Sequence, residues 1–182
     1  MQSKRNDNSM KTIKEYLNEG LIKRQAGMDM KAKIEAWLKE HDIKNYTINK
    51  DLTIDVDDDV NIFANSLENG ELPDFIQFNK IIGNFSISDF RLGGYYIYSL
   101  IGCPLRVYGN FSIRAKELDT LGGCPEEVGG SFYCEYNDSL KSLEHCPKKV
   151  GGNFYCHRSK NKFTVKSVKK YCDVKGKITT VK

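Results

Sequence analysis

Nowhere does this 182-residue sequence contain a run approaching the about 18 apolar residues that a membrane-spanning helix needs. Its start, MQSKRNDNSMKTIKEYL, has no apolar stretch followed by small residues. Neither a membrane span nor a secretory leader is therefore expected, and the chain is placed in a cytosol. Three histidines, scattered serines and no carboxylate pair across a recognisable cleft leave no nucleophile, base and orienting group to name. The Gly-Gly pairs beginning at 93, 122, 129 and 151 fit neither a phosphate loop nor a dinucleotide fingerprint. No Cys-x-x-Cys spacing occurs, and six cysteines in a cytosolic chain are expected to be thiols rather than a disulfide framework. The expectation is a protein without cofactor or catalytic centre.

Apolar residues make up 40% of the chain and charged residues 29%, with 10 Tyr and 9 Phe, so a core can form. The length suits one full-sized domain, or a small module attached to a repeat array. The net charge of +4 is divided unevenly. Residues 45–75 carry one Lys against eight acids, whereas 148–182 carry eleven Lys or Arg against Asp173 alone.

Self-comparison finds a period. LIGCPLRVYGNFSI starts at Leu100, LGGCPEEVGGSFYC at Leu121 and LEHCPKKVGGNFYC at Leu143, offsets of 21 and 22 residues. FIQFNKIIGNFSI from Phe75 keeps half the unit, and DVDDDVNIF at 55–63 is a degenerate earlier copy. Within each unit a stretch such as Phe132-Tyr133-Cys134 alternates like a strand. The preceding Val-Gly-Gly supplies a corner, and Pro ends any ladder. A unit this small cannot bury both faces, so equivalent strands must stack in parallel. The predicted core is a set of columns: Phe85, Phe111, Phe132 and Phe154; beside it Ile87, Ile113, Cys134 and Cys156; opposite, Leu100, Leu121 and Leu143.

Phe132-x-Cys134-x-x-Asn137, then Leu140-x-x-Leu143 and Pro147, resembles the short bacterial leucine-rich repeat. The unit L-x-x-L-x-G-x-P-x-x-V-G-G-x-F-x-C is more closely similar to repeat proteins encoded by large tailed bacteriophages, and Ile48 to Ile62 resembles their lead-in. The resemblance spans roughly residues 46–160. It implies an α+β architecture, a helical cap followed by a short parallel β-solenoid resembling leucine-rich repeats. It also implies a phage protein acting in the host cytoplasm. Lys116 and Ser159 stand where Asn137 has its equivalents, so no continuous asparagine ladder is expected there.

Ahead of the repeat, Ile13, Tyr16, Leu17 and Leu21, then Ile34, Trp37 and Leu38, recur at helical spacing. They predict two amphipathic helices broken at Gly27, the second capped by Asp29. An open solenoid needs such a cover at its end, although the first helix could instead dock into a partner. The expected organisation is a polar extension over 1–9, a helical cap over 10–45, a solenoid over 46–160 and a basic cap over 161–182.

Asp55, Asp57 and Asp59 would line one strand face, with Ile54, Val56 and Val60 inward. A calcium loop would need Gly at Val60 and Glu at Ser66, so a solvated acidic edge is preferred. His145-Cys146 and Cys156-His157 invite a zinc reading, but their places in repeat columns favour buried thiols. The outer strand face remains, where Arg114, Tyr133, Glu135, Tyr155, His157 and Arg158 project. Aromatics with Arg favour a protein interface, its partner a host or virion protein. The alternatives are nucleic-acid binding through Lys160, Lys162, Lys166, Lys169 and Lys170, or a structural role in the virion. A homodimer through an exposed solenoid end is a further possibility.

Overall fold

Each Val-Gly corner turns the backbone between two very short strands, and neither strand can persist without the turn above and below it. The computed structural model describes residues 13–88, 97–114, 117–157 and 161–180. In it the repeat winds into a β-solenoid of about five turns behind an N-terminal helix.

Every full turn contributes a strand to each of two sheets. The first sheet contains β1 (Tyr46–Ile48), β2 (Ile54–Val56), β4 (Phe78–Ile81), β6 (Arg106–Val107), β8 (Glu127–Val128), β10 (Lys149–Val150) and β12 (Asp173–Val174), adjacent in that order. The second contains β3 (Val60–Phe63), β5 (Phe85–Ser88), β7 (Phe111–Arg114), β9 (Phe132–Tyr133), β11 (Phe154–Tyr155) and β13 (Ile178–Thr179). All pairings are parallel except β1 with β2, which closes the first sheet at its N-terminal edge. The sequence reading anticipated the second sheet. The first was not expected as strands, because from β6 onward each contributes two residues, too few to display alternation. The acidic stretch at 55–63 is a complete first turn rather than a remnant, and the C-terminal tail adds another through β12 and β13.

The predicted columns form. Phe85, Phe111, Phe132 and Phe154 are fully buried, with successive ring centroids 5.5, 5.7 and 5.0 Å apart. Val60 begins this column and Ile178 ends it. Each buried Phe contributes roughly 2–3 kcal/mol of transfer free energy. Val56, Ile81, Val107, Val128 and Val150 line the other wall, and Leu100, Leu121 and Leu143 close the third side, all buried.

A second device locks the corners. Asn84 N–H donates to Asp59 Oδ1 (2.7 Å), Asn110 N–H to Asn84 Oδ1 (2.8 Å) and Ser131 N–H to Asn110 Oδ1 (2.7 Å). Asn153 N–H then donates to Ser131 Oγ (3.0 Å), and Lys177 N–H to Asn153 Oδ1 (2.7 Å). This ladder stands before each core Phe, not at the strand-following position of Asn137, which is itself fully buried.

The N-terminal segment corrects one expectation. A single helix, α1 (Ile13–Glu40), runs unbroken through Gly20 and Gly27. A glycine in a helix interior costs about 1 kcal/mol relative to alanine but keeps its N–H, so it weakens a helix without ending it. Asp29 is consequently mid-helix, accepting from Gln25 Nε2 at 2.9 Å. The last part of α1 docks: Ile34, Trp37 and Leu38 are buried, with Trp37 edge-on to Phe78 at 6.5 Å, Met30 packs partly buried against this core, and Lys33 Nζ lies 4.0 Å from the Phe75 ring centroid. His41 fastens the helix end, its ring contacting Trp37 O (2.9 Å) and Ser66 Oγ (3.1 Å). At the other end a short helix, α2 (Val165–Lys169), is capped by Thr164 and Ser167 and buries Val168. Among the described residues no helix is long and apolar enough to cross a membrane.

Candidate binding face

On the second sheet, residues alternating with the core columns point outward, and their equivalents stack one turn apart. Asn61, Ser86, Ser112, Tyr133 and Tyr155 form one such file, set by the registers of β3, β5, β7, β9 and β11. The file changes character midway. Its first half is small and polar, with Ser86 Oγ donating to Asn61 Oδ1 at 2.7 Å. Its second half is a pair of tyrosines stacked at 4.8 Å and 7°.

Both tyrosines are half-buried. Tyr155 OH accepts from Asn153 Nδ2 at 3.0 Å, and the ring meets His157 edge-on at 6.4 Å. His157 Nε2 lies 2.9 Å from Glu135 Oε1, with side-chain exposures of 20% and 11%. A pair this sheltered is positioned by the sheet rather than by solvent. His157 Nδ1 is enclosed and has no hydrogen-bond partner. The register that sets Ser112 beside Tyr133 carries Arg114 to the rung next to Glu135. Arg114 is exposed and makes no ion pair among the described residues. Five of the six predicted interface residues therefore share one face; Arg158 lies outside the described residues.

The basic set is less concentrated. Lys160 lies outside the described residues; Lys162 precedes α2, Lys166 and Lys169 stand on it, and all three are exposed. Lys170 is occupied locally, its Nζ 2.7 Å from Tyr171 OH, an interaction that holds its pKa above the ordinary lysine value.

The chemically suggestive residues fall into structural roles. Among the described residues no group of three or more His, Cys, Asp or Glu converges to hold a metal ion. His145 is exposed, and Cys156 is buried beneath the sheet. Burial pushes the Cys103, Cys124 and Cys134 thiols up. Cys172 is the exception, held below the usual thiol value by a hydrogen bond from Cys146 against the opposing effect of burial. Asp55 is held low although partial burial opposes it, because Asn79, Lys80 and Asn49 all donate to it.

Sequence reasoning missed a groove of about 320 Å³ on the outer face of the first sheet. Its floor is Gly129 and Gly151, one wall carries Arg106, Glu127 and Lys149, and Tyr108 stands at one end. The floor cannot carry side chains: a Cβ on Gly151 would run into the Gly129 carbonyl. Lys149 Nζ is 2.9 Å from Glu127 Oε1, and that hydrogen bond with its charge lowers the Glu127 pKa. The signal was available as Tyr108 replacing the first Gly of Val-Gly-Gly, and Arg, Glu and Lys recurring before Val.

No family model matches this chain, and neither the curated proteins nor the solved structures contain a match.

Proposed function

We propose that the chain is a non-enzymatic protein-binding repeat module of a bacteriophage. It engages a host protein in the host cytoplasm through the outer face of the second sheet, with inhibition of a host defence system as its setting. The observation that carries this reading is the stacked Tyr133–Tyr155 pair beside the Glu135–His157 pair, with the exposed Arg114 one rung away. Rigid half-buried tyrosines lose little side-chain freedom on binding, and they are enriched among the residues that dominate interface energies. The phage setting rests on the likeness of the repeat unit to phage repeat proteins.

Affinity capture from host lysate tests it. A specific host protein should be retained by the wild-type chain and lost with Tyr133→Ala or Tyr155→Ala, each expected to remove at least tenfold in affinity. Capture indifferent to both substitutions would refute the face. Recovery of the chain in purified virions would favour the structural role instead.

A second reading is nucleic-acid binding, favoured by the exposed Lys162, Lys166 and Lys169, which form no ion pair among the described residues. It requires a salt-dependent shift of labelled DNA or RNA. A flat titration at low salt removes it.

A further inference from the structure

We infer that Cys146 and Cys172 form a reversible oxidation site, closing a disulfide across the last two turns when the chain meets a peroxide. The two residues belong to neighbouring turns. β10 pairs in parallel with β12, and Asp173 N–H donates to Lys148 O at 2.9 Å, so Cys172 lies beside Lys148, two residues from Cys146. The Cys146 thiol donates a hydrogen bond to the Cys172 sulfur. Cys172 in turn donates to the Asp173 carbonyl oxygen, 3.7 Å from its Sγ. The two sulfurs therefore already meet, one as donor and the other as acceptor. A disulfide needs them at about 2.05 Å. The last turn can supply that movement, because β12 and β13 stand at the ends of their sheets, where local opening is easiest.

The other cysteines show why this pair is singled out. Cys134 and Cys156 are also hydrogen-bonded to each other, but they are 0% and 1% exposed, and burial holds the Cys134 thiol high. Burial likewise holds up Cys103 and Cys124. Cys146 and Cys172 keep 6% and 5% exposure, and the hydrogen bond from Cys146 holds the Cys172 thiol below its usual range against burial and the Asp173 charge. The thiolate is the reactive form, so Cys172 is the attacking sulfur. It attacks one oxygen of the peroxide, the O–O bond breaks, and a Cys172 sulfenic acid forms with hydroxide, which takes up the proton Cys172 gave up. The Cys146 sulfur then attacks the Cys172 sulfur, the S–O bond breaks, and the hydroxyl leaves as water with the Cys146 proton. Two thiols are oxidised to one disulfide while hydrogen peroxide is reduced to two waters. In a reducing compartment such a bond is transient, and a dithiol reverses it. The loop it closes contains β11 with Tyr155 and α2 with Lys166 and Lys169, elements of both candidate surfaces.

Peptide mass mapping of the full chain after treatment with hydrogen peroxide is the test. The expected product is lighter by two hydrogens and yields a cross-linked Cys146–Cys172 peptide, with four of the six thiols still open to alkylation after denaturation. A dithiol reductant should restore the starting mass. Cys172→Ser should abolish the product, and Cys146→Ser should leave a Cys172 sulfenic acid that dimedone traps. Amide exchange in β12 should slow about tenfold in the oxidised chain. A cross-link between Cys134 and Cys156, or between Cys103 and Cys124, in place of this one overturns the inference. So does a chain whose six thiols all survive a peroxide dose that oxidises a free thiol peptide.

Discussion

The residue just before each Cys-Pro takes a left-handed backbone: φ is 89° at Gly102, 93° at Gly123 and 66° at His145. Glycine adopts this conformation freely, whereas an L side chain costs roughly 1–2 kcal/mol there. His145→Gly relieves that strain, offset by about 0.4–1 kcal/mol of added freedom in the unfolded chain. The expected net is a stabilisation of about 1 kcal/mol, read as a higher urea midpoint with unchanged slope. The same position thus explains a histidine that looked chemical: it occupies a glycine site. Phe132→Ala should act oppositely, removing about 3–5 kcal/mol because its neighbours Phe111 and Phe154 are held by their own turns and cannot fill the space.

Between elements, side chains reach from one turn to the next. Asp55 on β2 accepts from Asn79 on β4 at 2.7 Å and pairs with Lys80 at 3.2 Å. Its folded pKa is lowered, so its contribution is present above its unfolded pKa and is lost as pH falls through the folded one. Asp55→Asn should therefore lower stability by about 1 kcal/mol at pH 7, with the gap from wild type closing as pH falls below the ordinary carboxylate range. Denaturant unfolding across pH checks this. Much at this scale was legible in the sequence. Glu135 and His157 are 22 residues apart, the repeat offset itself, so stacking alone brings them together. Asn84, Asn110, Ser131 and Asn153 also share one repeat position, but their role was hidden. Nothing local distinguishes a corner residue whose side chain serves the next turn from one that merely turns. The continuity of α1 was misread because Gly27 was weighed as a breaker although its helical N–H is retained.

For the molecule as a whole, each turn touches only its neighbours, so stability is close to a sum of turns and interfaces between them. The N-terminal end is covered by α1 and β1, while Val174 and Ile178 at the other end are only partly buried. Amide exchange should therefore be slowest around β7 and β9 and fastest in β12 and β13. Val174→Asp should speed exchange in the last turn while leaving β5 and β7 protected; uniform loss of protection would contradict the additive picture.

The corner ladder also has a direction. In each of its links the side-chain acceptor belongs to the earlier turn and the backbone donor to the later one, from Asp59 through to Lys177. A chain emerging from the ribosome thus presents each template before the segment that needs it, behind a cap already made. Assembly can proceed as a ratchet in step with translation, each completed turn fixing the register of the next.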